Sequence, residues 1–216
     1  MASEPPLAVK VWGDFACFTR PEMKVERVSY PVMTPSAARG VLEAIFWKPE
    51  LSWQIDDIWV LEPIQYVSFL RNEVNSRASE RAARDWMANA GGFVASEDRA
   101  QRHTLALRDV AYLIHARPEP RSGLDADRAK FRDQFRRRVA RGQCFATPYL
   151  GCREFSAGFG APDGSERPIP DSGSLGRMLL EMAYAPDGGG AATPLFFEGR
   201  LDGGILRVPA ASRQAA

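Results

Sequence analysis

The sequence predicts an α+β protein with a ferredoxin-like N-terminal domain and a small C-terminal domain built on an antiparallel β-sheet. Up to residue 144 the predicted elements follow the order strand, helix, strand, strand, helix, which is most of a split βαβ unit. From residue 145 onward, short apolar runs alternate with turn dipeptides such as Asp202-Gly203, which favour hairpins. A chain of 216 residues can bury a sizeable core in one large domain or two small ones. We therefore assign residues 1–144 and 145–216 to the two domains.

The first predicted strand is Leu7–Phe18, in which Val9 and Val11 lie on one side. Gly13 interrupts this pattern, which indicates a bulge or a close approach of another backbone segment. A polar turn follows and carries three basic residues: Arg20, Lys24 and Arg27.

The next unit, Ser29–Pro49, is predicted to be a short strand followed by a helix. Thr34 stands at the N-cap and Pro35 at the first helical position, where its missing N–H is harmless. Lys48-Pro49 is expected to close the helix, because the residue before a proline disfavours helical backbone. One face of this helix is apolar and consists of Ala38, Val41, Leu42, Ile45 and Phe46.

Two further strands are predicted at Ile55–Leu61 and Gln65–Leu70. They precede an arginine-rich stretch, Arg71–Arg102, that has no sustained period. We expect an irregular basic insertion there, with a short helix around Ser79–Met87.

The second half of the N-terminal domain is predicted as a strand, Thr104–Ala116, with a slip at Arg108-Asp109, and a helix, Leu124–Arg141. Apolar residues recur at strict fours in this helix, and Gly142 is a plausible stop. Those apolar residues are Phe131, Phe135 and Val139. Later strands are predicted at Arg177–Tyr184, Pro194–Leu201 and Ile205–Val208.

The helix Leu124–Arg141 is the strongest functional signal in the residues themselves, because most of its polar positions are basic. These positions include Arg128, Lys130, Arg132, Arg136, Arg137, Arg138 and Arg141. They can form an ordinary solvated face or a surface that binds phosphates. Arg136, Arg137 and Arg138 cannot all face one way, since successive helical residues are about 100° apart.

The titratable residues do not predict a metal site. Asp56 and Asp57 are neighbours on a strand, where side chains alternate between faces, so a shared ion is not expected. A structural zinc site needs four closely spaced ligands, which the cysteines and the two histidines do not supply. The cysteines Cys17, Cys144 and Cys152 are interpreted as reduced packing residues. We expect no metal and no cofactor.

The two histidines have different interpretations. His115 lies near the end of a predicted strand and is interpreted as structural. His103 lies at a loop-to-strand junction, where it can be an exposed loop histidine or a group that transfers protons near neutral pH.

Net charge is +1, so any attraction to nucleic acid must come from local clusters. The first residues have no hydrophobic signal region, and no apolar run approaches the roughly 18 residues of a membrane span. We expect a soluble, cytoplasmic protein with no membrane partner.

Three stretches of the sequence resemble a known family. They are VWGDFACFTRPEMKVERVSYPVMTPSAARGVLEAIFWKP, FRRRVARGQ and PYLGCREF. In this order they resemble the Cas family five protein of type I-C CRISPR systems, a RAMP-superfamily subunit that processes guide-RNA precursors. The resemblance covers about Leu7 to Phe159 and implies an RRM-type fold for the N-terminal domain.

The resemblance also implies a function and partners. A member of this family is a metal-independent endoribonuclease: it cuts CRISPR precursor RNA at the 3′ base of the repeat hairpin, leaves a 2′,3′-cyclic phosphate and stays on the 5′ handle. Its partners would be repeat RNA, mature guide RNA and the other subunits of the type I-C surveillance complex. A scaffold that binds the handle without cutting is the alternative, and non-specific binding of duplex DNA through the basic surface also stays open.

Carried over residue by residue, the resemblance gives an incomplete catalytic set. The family tyrosine before Trp-Lys-Pro is Phe46 here, and the family Lys-His pair becomes Lys130-Phe131. Lys130 is therefore the predicted catalytic residue, with His103, Tyr30 or Tyr149 as substitutes for the missing groups. The predicted RNA-binding residues are Arg20, Lys24, Arg27, Lys48, Arg128, Arg136, Arg137, Arg138 and Arg141.

Overall fold

A nine-stranded, mainly antiparallel sheet organises the part of the chain that the computed structural model describes, residues 5–77, 79–120, 128–183 and 192–209. The strands are β1 (Leu7–Ala16), β2 (Arg27–Val28), β3 (Leu51–Val60), β4 (Tyr66–Val74), β5 (Arg99–Pro120), β6 (Gly158–Gly160), β7 (Gly173–Ala183), β8 (Thr193–Asp202) and β9 (Ile205–Arg207). The helices are α1 (Pro35–Ile45), α2 (Glu80–Ala88) and α3 (Arg128–Ala140). The predicted α+β class is confirmed.

The strand order is β6-β1-β5-β3-β9-β8-β7, and β2 and β4 also pair with β5. The long strand β5 is central, because its second half pairs with β1 and β3 and its first half pairs with β4. Asp109 lies between the halves with a positive φ of 51°, at the position of the predicted slip. The C-terminal strands extend the same sheet, since β6 pairs with β1 and β9 pairs with β3.

Helices α1 and α3 cover one face of the sheet. The predicted apolar face of α1 is buried, as are Phe131, Phe135 and Val139 of α3. Phe135 packs on Trp53 of β3 with ring centroids 4.8 Å apart. Residues Leu124 to Asp127, which the sequence also assigns to this helix, lie outside the described residues. No helix in the described ranges is long and apolar enough to cross a membrane.

Helix α1 begins as the sequence predicts. The hydroxyl oxygen of Thr34 accepts a hydrogen bond from the amide of Ala37 at 3.2 Å, and Pro35 occupies the first turn. The helix ends at Ile45, earlier than the Lys48-Pro49 pair suggested, because Phe46 has extended backbone angles of −146° and 110°. In that conformation the Phe46 side chain still packs in the core.

We expect Thr34→Ala to lower the free energy of unfolding by about 1 kcal/mol, because the substitution removes the acceptor for one helical N–H group. Urea unfolding followed by circular dichroism measures this loss. Thr34→Ser keeps the hydroxyl and should restore most of the stability. Equal losses in both variants would contradict a capping role.

The arginine-rich stretch differs from the expected irregular insertion at both ends. Strand β4 continues to Val74 and β5 begins at Arg99, so these ends form a long hairpin with Leu70 opposite His103. Pairing between the two strands stabilises extended backbone where side-chain periodicity does not reveal it. The predicted short helix is confirmed as α2.

The neighbouring carboxylates of β3 also differ from expectation, because they share one face of the sheet. A shift in register between Ile55 and Asp57 marks a bulge at Asp56. Asp57 contacts His115 at 2.7 Å and Asp56 contacts Arg117 at 3.2 Å, and those two partners lie on the same side of β5. His115 is thus held in a side-chain pair, in agreement with its structural interpretation.

Candidate functional site

Lys130 lies in the first turn of α3 and is exposed. Helical residues three and four apart share a face, so Lys130, Gln134, Arg137 and Arg141 follow one line along α3. Lys130, Gln134 and Arg137 line an open groove of about 450 Å³ with Ala129 and Asp133. We call the line of Lys130, Gln134, Arg137 and Arg141 the α3 stripe.

The two positions where the family resemblance places a tyrosine and a histidine are in contact. The rings of Phe46 and Phe131 have centroids 6.1 Å apart, and the residues are only 1% and 8% exposed. Phe131 immediately follows Lys130, so the three positions that the resemblance selected lie together at the junction of α1 and α3. The two phenylalanines cannot transfer protons and instead bury apolar surface.

Arg138 connects the two helices at this junction. Its Nη1 group donates a hydrogen bond to the carbonyl oxygen of Ile45 at 2.8 Å, and its guanidinium lies 5.3 Å from the centroid of the Phe46 ring. The first contact satisfies a carbonyl at the end of α1, and the second is a cation–π interaction. Arg138 therefore has a structural role whether or not it also contacts RNA.

The other predicted RNA-binding residues near α3 differ in how far their charge is compensated. Arg128 pairs with Glu119 at 2.6 Å, and Arg136 lies 3.6 Å from Asp133. Lys48, Arg137 and Arg141 are exposed, and no carboxylate within the described ranges lies at ion-pair distance from them. The junction of α1 and α3 consequently carries local positive charge on a chain that is nearly neutral overall.

The structure separates His103 from Lys130. The ion pair between Arg128 and Glu119 places the start of α3 beside the end of β5. His103 lies on β5 as well, 16 residues before Glu119, which is about 50 Å along the strand. His103 is exposed, and its backbone N–H donates to Glu26. His103 and the start of α3 thus lie near opposite ends of β5, and a catalytic role for His103 stays a prediction.

A second basic region lies at the far end of β5, where β2 pairs with Thr104 and Leu105. Here Arg20 stacks over the Tyr30 ring at 4.5 Å, and Lys24 is exposed. Arg27 makes ion pairs with Glu154 at 3.0 Å and Glu73 at 3.5 Å. The nine predicted RNA-binding residues thus form two groups at opposite ends of β5. In the group of Arg20, Lys24 and Arg27, the charge of Arg27 is compensated by Glu73 and Glu154.

The candidate tyrosines lie at the wrong end of α1 to replace Phe46. Tyr30 is buried, and burial raises the pKa of its hydroxyl. Tyr149 is 40% exposed and lines a cavity with Thr34. Thr34 caps the start of α1, whereas Phe46 follows the end of this helix, about 18 Å away.

The surroundings of Cys152, which the sequence interpreted as a packing residue, were not predicted. The sulfur of Cys152 lies 3.4 Å from Nη1 of Arg27, and Cys152 also donates towards the carbonyl oxygen of Cys17. A hydrogen bond with the Cys17 thiol and the nearby Arg27 guanidinium lower the pKa of Cys152 to about 6. No local sequence pattern indicates this contact, because 125 residues separate Arg27 from Cys152.

We expect the alkylation of Cys152 by iodoacetamide to reach half its maximal rate near pH 6. The thiolate is the reactive form, so a lowered pKa extends the reaction towards lower pH. Peptide mass spectrometry after short pulses across a pH series follows the reaction at this residue. Arg27→Gln should move the midpoint to higher pH, and a wild-type midpoint above pH 8 would contradict the assigned contact.

Comparisons with known proteins identify the family to which the chain belongs. Residues 6–172 match the sequence profile of the family described as CRISPR-associated protein (Cas_Cas5). The chain is 45% identical over 226 aligned residues to a protein of Thermus thermophilus named CRISPR pre-crRNA endoribonuclease Cas5d, with 96% of this chain and 93% of that protein covered. A protein of the same name from Mannheimia succiniciproducens is 44% identical over 213 residues, with 94% of each chain covered.

The fold also matches a solved structure. A crystal structure of a CRISPR-associated protein superposes with a TM-score of 0.68 at 22% identity and covers 96% of this chain and 93% of that one. This likeness concerns the fold alone. The profile match and the two close relatives together establish the family: this chain belongs to the CRISPR-associated protein (Cas_Cas5) family.

Proposed function

We propose that this protein is an endoribonuclease that processes CRISPR precursor RNA. It cuts at the 3′ base of the repeat hairpin and stays on the 5′ handle. The observation that carries the proposal is the similarity, across nearly the whole chain, to two proteins named pre-crRNA endoribonucleases. The site at the junction of α1 and α3 supports it, because Lys130 and the two substituted family positions lie together there.

The proposed chemistry uses the RNA itself as the nucleophile. The 2′-hydroxyl attacks the adjacent phosphorus and loses its proton, the bond to the 5′-oxygen breaks, and that oxygen takes up a proton. The products are a 2′,3′-cyclic phosphate and a 5′-hydroxyl. Lys130 would stabilise the negative charge that develops on the phosphorane. Phe46 and Phe131 supply no proton transfer, so general acid–base help worth roughly 10²–10⁴-fold is lost at these positions.

The basic residues around Lys130 are proposed to hold the RNA backbone. Lys48, Arg137 and Arg141 are the best candidates, since no described carboxylate competes for them. Arg128 and Arg136 would have to exchange Glu119 and Asp133 for phosphate. Arg20, Lys24 and Arg27 lie too far away to contact the same phosphates, and we propose that they bind a more distant part of the RNA.

We further propose the finer assignments of fold and assembly. The β6-β1-β5-β3 order with α1 and α3 on one face supports a ferredoxin-like, RRM-type unit. Residues 1–144 would carry most of the RNA surface, while residues 145–216 would supply the remaining strands, including β6. Mature guide RNA and the other subunits of the type I-C surveillance complex are the proposed partners.

The test is cleavage of the system's own repeat hairpin RNA in the presence of EDTA. A discrete cut at the 3′ base, with a 2′,3′-cyclic phosphate, is the expected result. Replacing the 2′-hydroxyl at the scissile nucleotide by hydrogen should abolish the cut and leave binding intact. Tight binding of a hairpin that stays whole would instead identify a scaffold. A product that forms only with added metal would contradict the proposed chemistry.

A further inference from the structure

Two exposed aromatic residues, Trp47 and Phe145, lie beside the α3 stripe and have no part in the chemistry proposed above. They are 44% and 70% exposed, although the apolar face of α1 next to them is buried. Their ring centroids are 6.3 Å apart with 30° between the ring planes, so they form one extended aromatic surface. Such a surface in water indicates a partner that covers it.

The backbone beneath this pair is held in place by hydrogen bonds. The amides of Phe145 and Ala146 both donate to the carbonyl oxygen of Ala44, at 2.7 and 3.0 Å. The next two carbonyl oxygens, of Ile45 and Phe46, accept from Arg138 and from the indole of Trp53. The end of α1 and the chain after α3 are therefore fixed to each other, so the backbone that carries the two rings is held in place.

The charge around the pair indicates which kind of partner it binds. Lys48 follows Trp47, and Arg141 lies at the end of α3 a few residues before Phe145; no described carboxylate pairs with either cation. Single-stranded RNA combines flat apolar bases with phosphates, and proteins bind it with aromatic rings beside basic residues. The core of a protein–protein interface is instead depleted of lysine.

We propose that Trp47 and Phe145 form a stacking platform for an unpaired nucleobase of the bound RNA, whose phosphates contact Lys48 and Arg141. This inference rests on the proposed function. Trp47 directly follows Phe46, whose ring packs on Phe131 next to Lys130, so the platform lies close to the proposed catalytic residue. The stacked base therefore belongs to a nucleotide close to the scissile phosphate.

The test measures binding of a repeat hairpin RNA with single-stranded flanks and a 2′-deoxy scissile nucleotide, so that it binds without being cut. Fluorescence anisotropy gives Kd for the wild type, Trp47→Leu and Phe145→Leu. Each leucine variant should weaken binding roughly 5- to 100-fold, because it removes a stacked ring. The slope of log Kd against log salt should not change, since no phosphate contact is lost. Trp47→Phe, which keeps a ring, should recover most of the affinity.

The chain offers a matched control in a second aromatic pair on the β4–β5 hairpin. Trp86 and Phe93 stack with centroids 6.0 Å apart, and Phe93 is 40% exposed. Phe93→Leu should leave Kd within twofold of the wild type. An equal loss in this variant would overturn a specific platform at Trp47 and Phe145.

Other outcomes separate this inference from the proposed function. A wild type that binds and cuts, with both leucine variants unaffected, overturns the platform alone. Leucine variants that bind RNA normally but no longer associate with another subunit of the complex would show a protein-docking surface, which also overturns it. A wild type that neither binds nor cuts repeat RNA overturns the proposed function and the platform together.

Discussion

Lys130→Ala is expected to lower the single-turnover rate of repeat cleavage by about 10²–10³-fold. Removing one group that stabilises charge in the transition state typically has an effect of this size. The loss should be near the upper end here, because Phe46 and Phe131 leave no neighbouring proton-transfer group to compensate. Denaturing gels of end-labelled hairpin RNA, at protein concentrations well above Kd, measure the rate without a contribution from binding.

Two variants control this experiment. Lys130→Arg keeps the positive charge and should retain more activity than the alanine variant if the charge is what matters. Arg200→Ala removes an exposed cation from β8, far along the sheet from α3, and should leave the rate unchanged. If Lys130→Ala cuts as fast as the wild type, the chemistry does not lie at the junction of α1 and α3.

Gly151→Ala is expected to destabilise the protein by roughly 3 kcal/mol or more, which places it among the severe single substitutions. Gly151 has a φ of +83°, and an added Cβ would lie 2.1 Å from the carbonyl oxygen of Cys17. This close approach lets the segment after Pro148 reach the end of β1, where the amide of Cys17, the next residue, donates to the carbonyl oxygen of Leu150 at 3.0 Å. Thermal unfolding should show a melting temperature lowered by about 10 °C.

Gly142→Ala is the matched control, because Gly142 also has a positive φ, of +60°, but no heavy atom lies within 4 Å of the added Cβ. This variant should lose only the roughly 1–2 kcal/mol of the left-handed conformation. The difference between the two variants isolates the contact with Cys17. Similar melting temperatures for both would contradict the tight packing of the 148–155 segment on β1.

Local patterns predicted much of the fold. The cap and first turn of α1, its apolar face, the buried positions of α3 and the slip within β5 all depend on residues close together in the sequence. Capping residues and helical spacing act over a few residues, so the sequence alone reveals them. The insertion was mispredicted because its strands are stabilised by pairing across a hairpin, and pairing partners leave no period in a single strand.

For the candidate site, too, some properties follow from the sequence and others only from the tertiary structure. The sequence by itself determined that Lys130 keeps a competent group and that Phe46 and Phe131 do not, because residue identity decides this. Only the tertiary structure decided that these three positions meet, that His103 lies at the other end of β5 and that Arg27 reaches Cys152. Each of these is a distance between residues far apart in the chain, and such distances depend on how the sheet pairs its strands and how the helices pack on it.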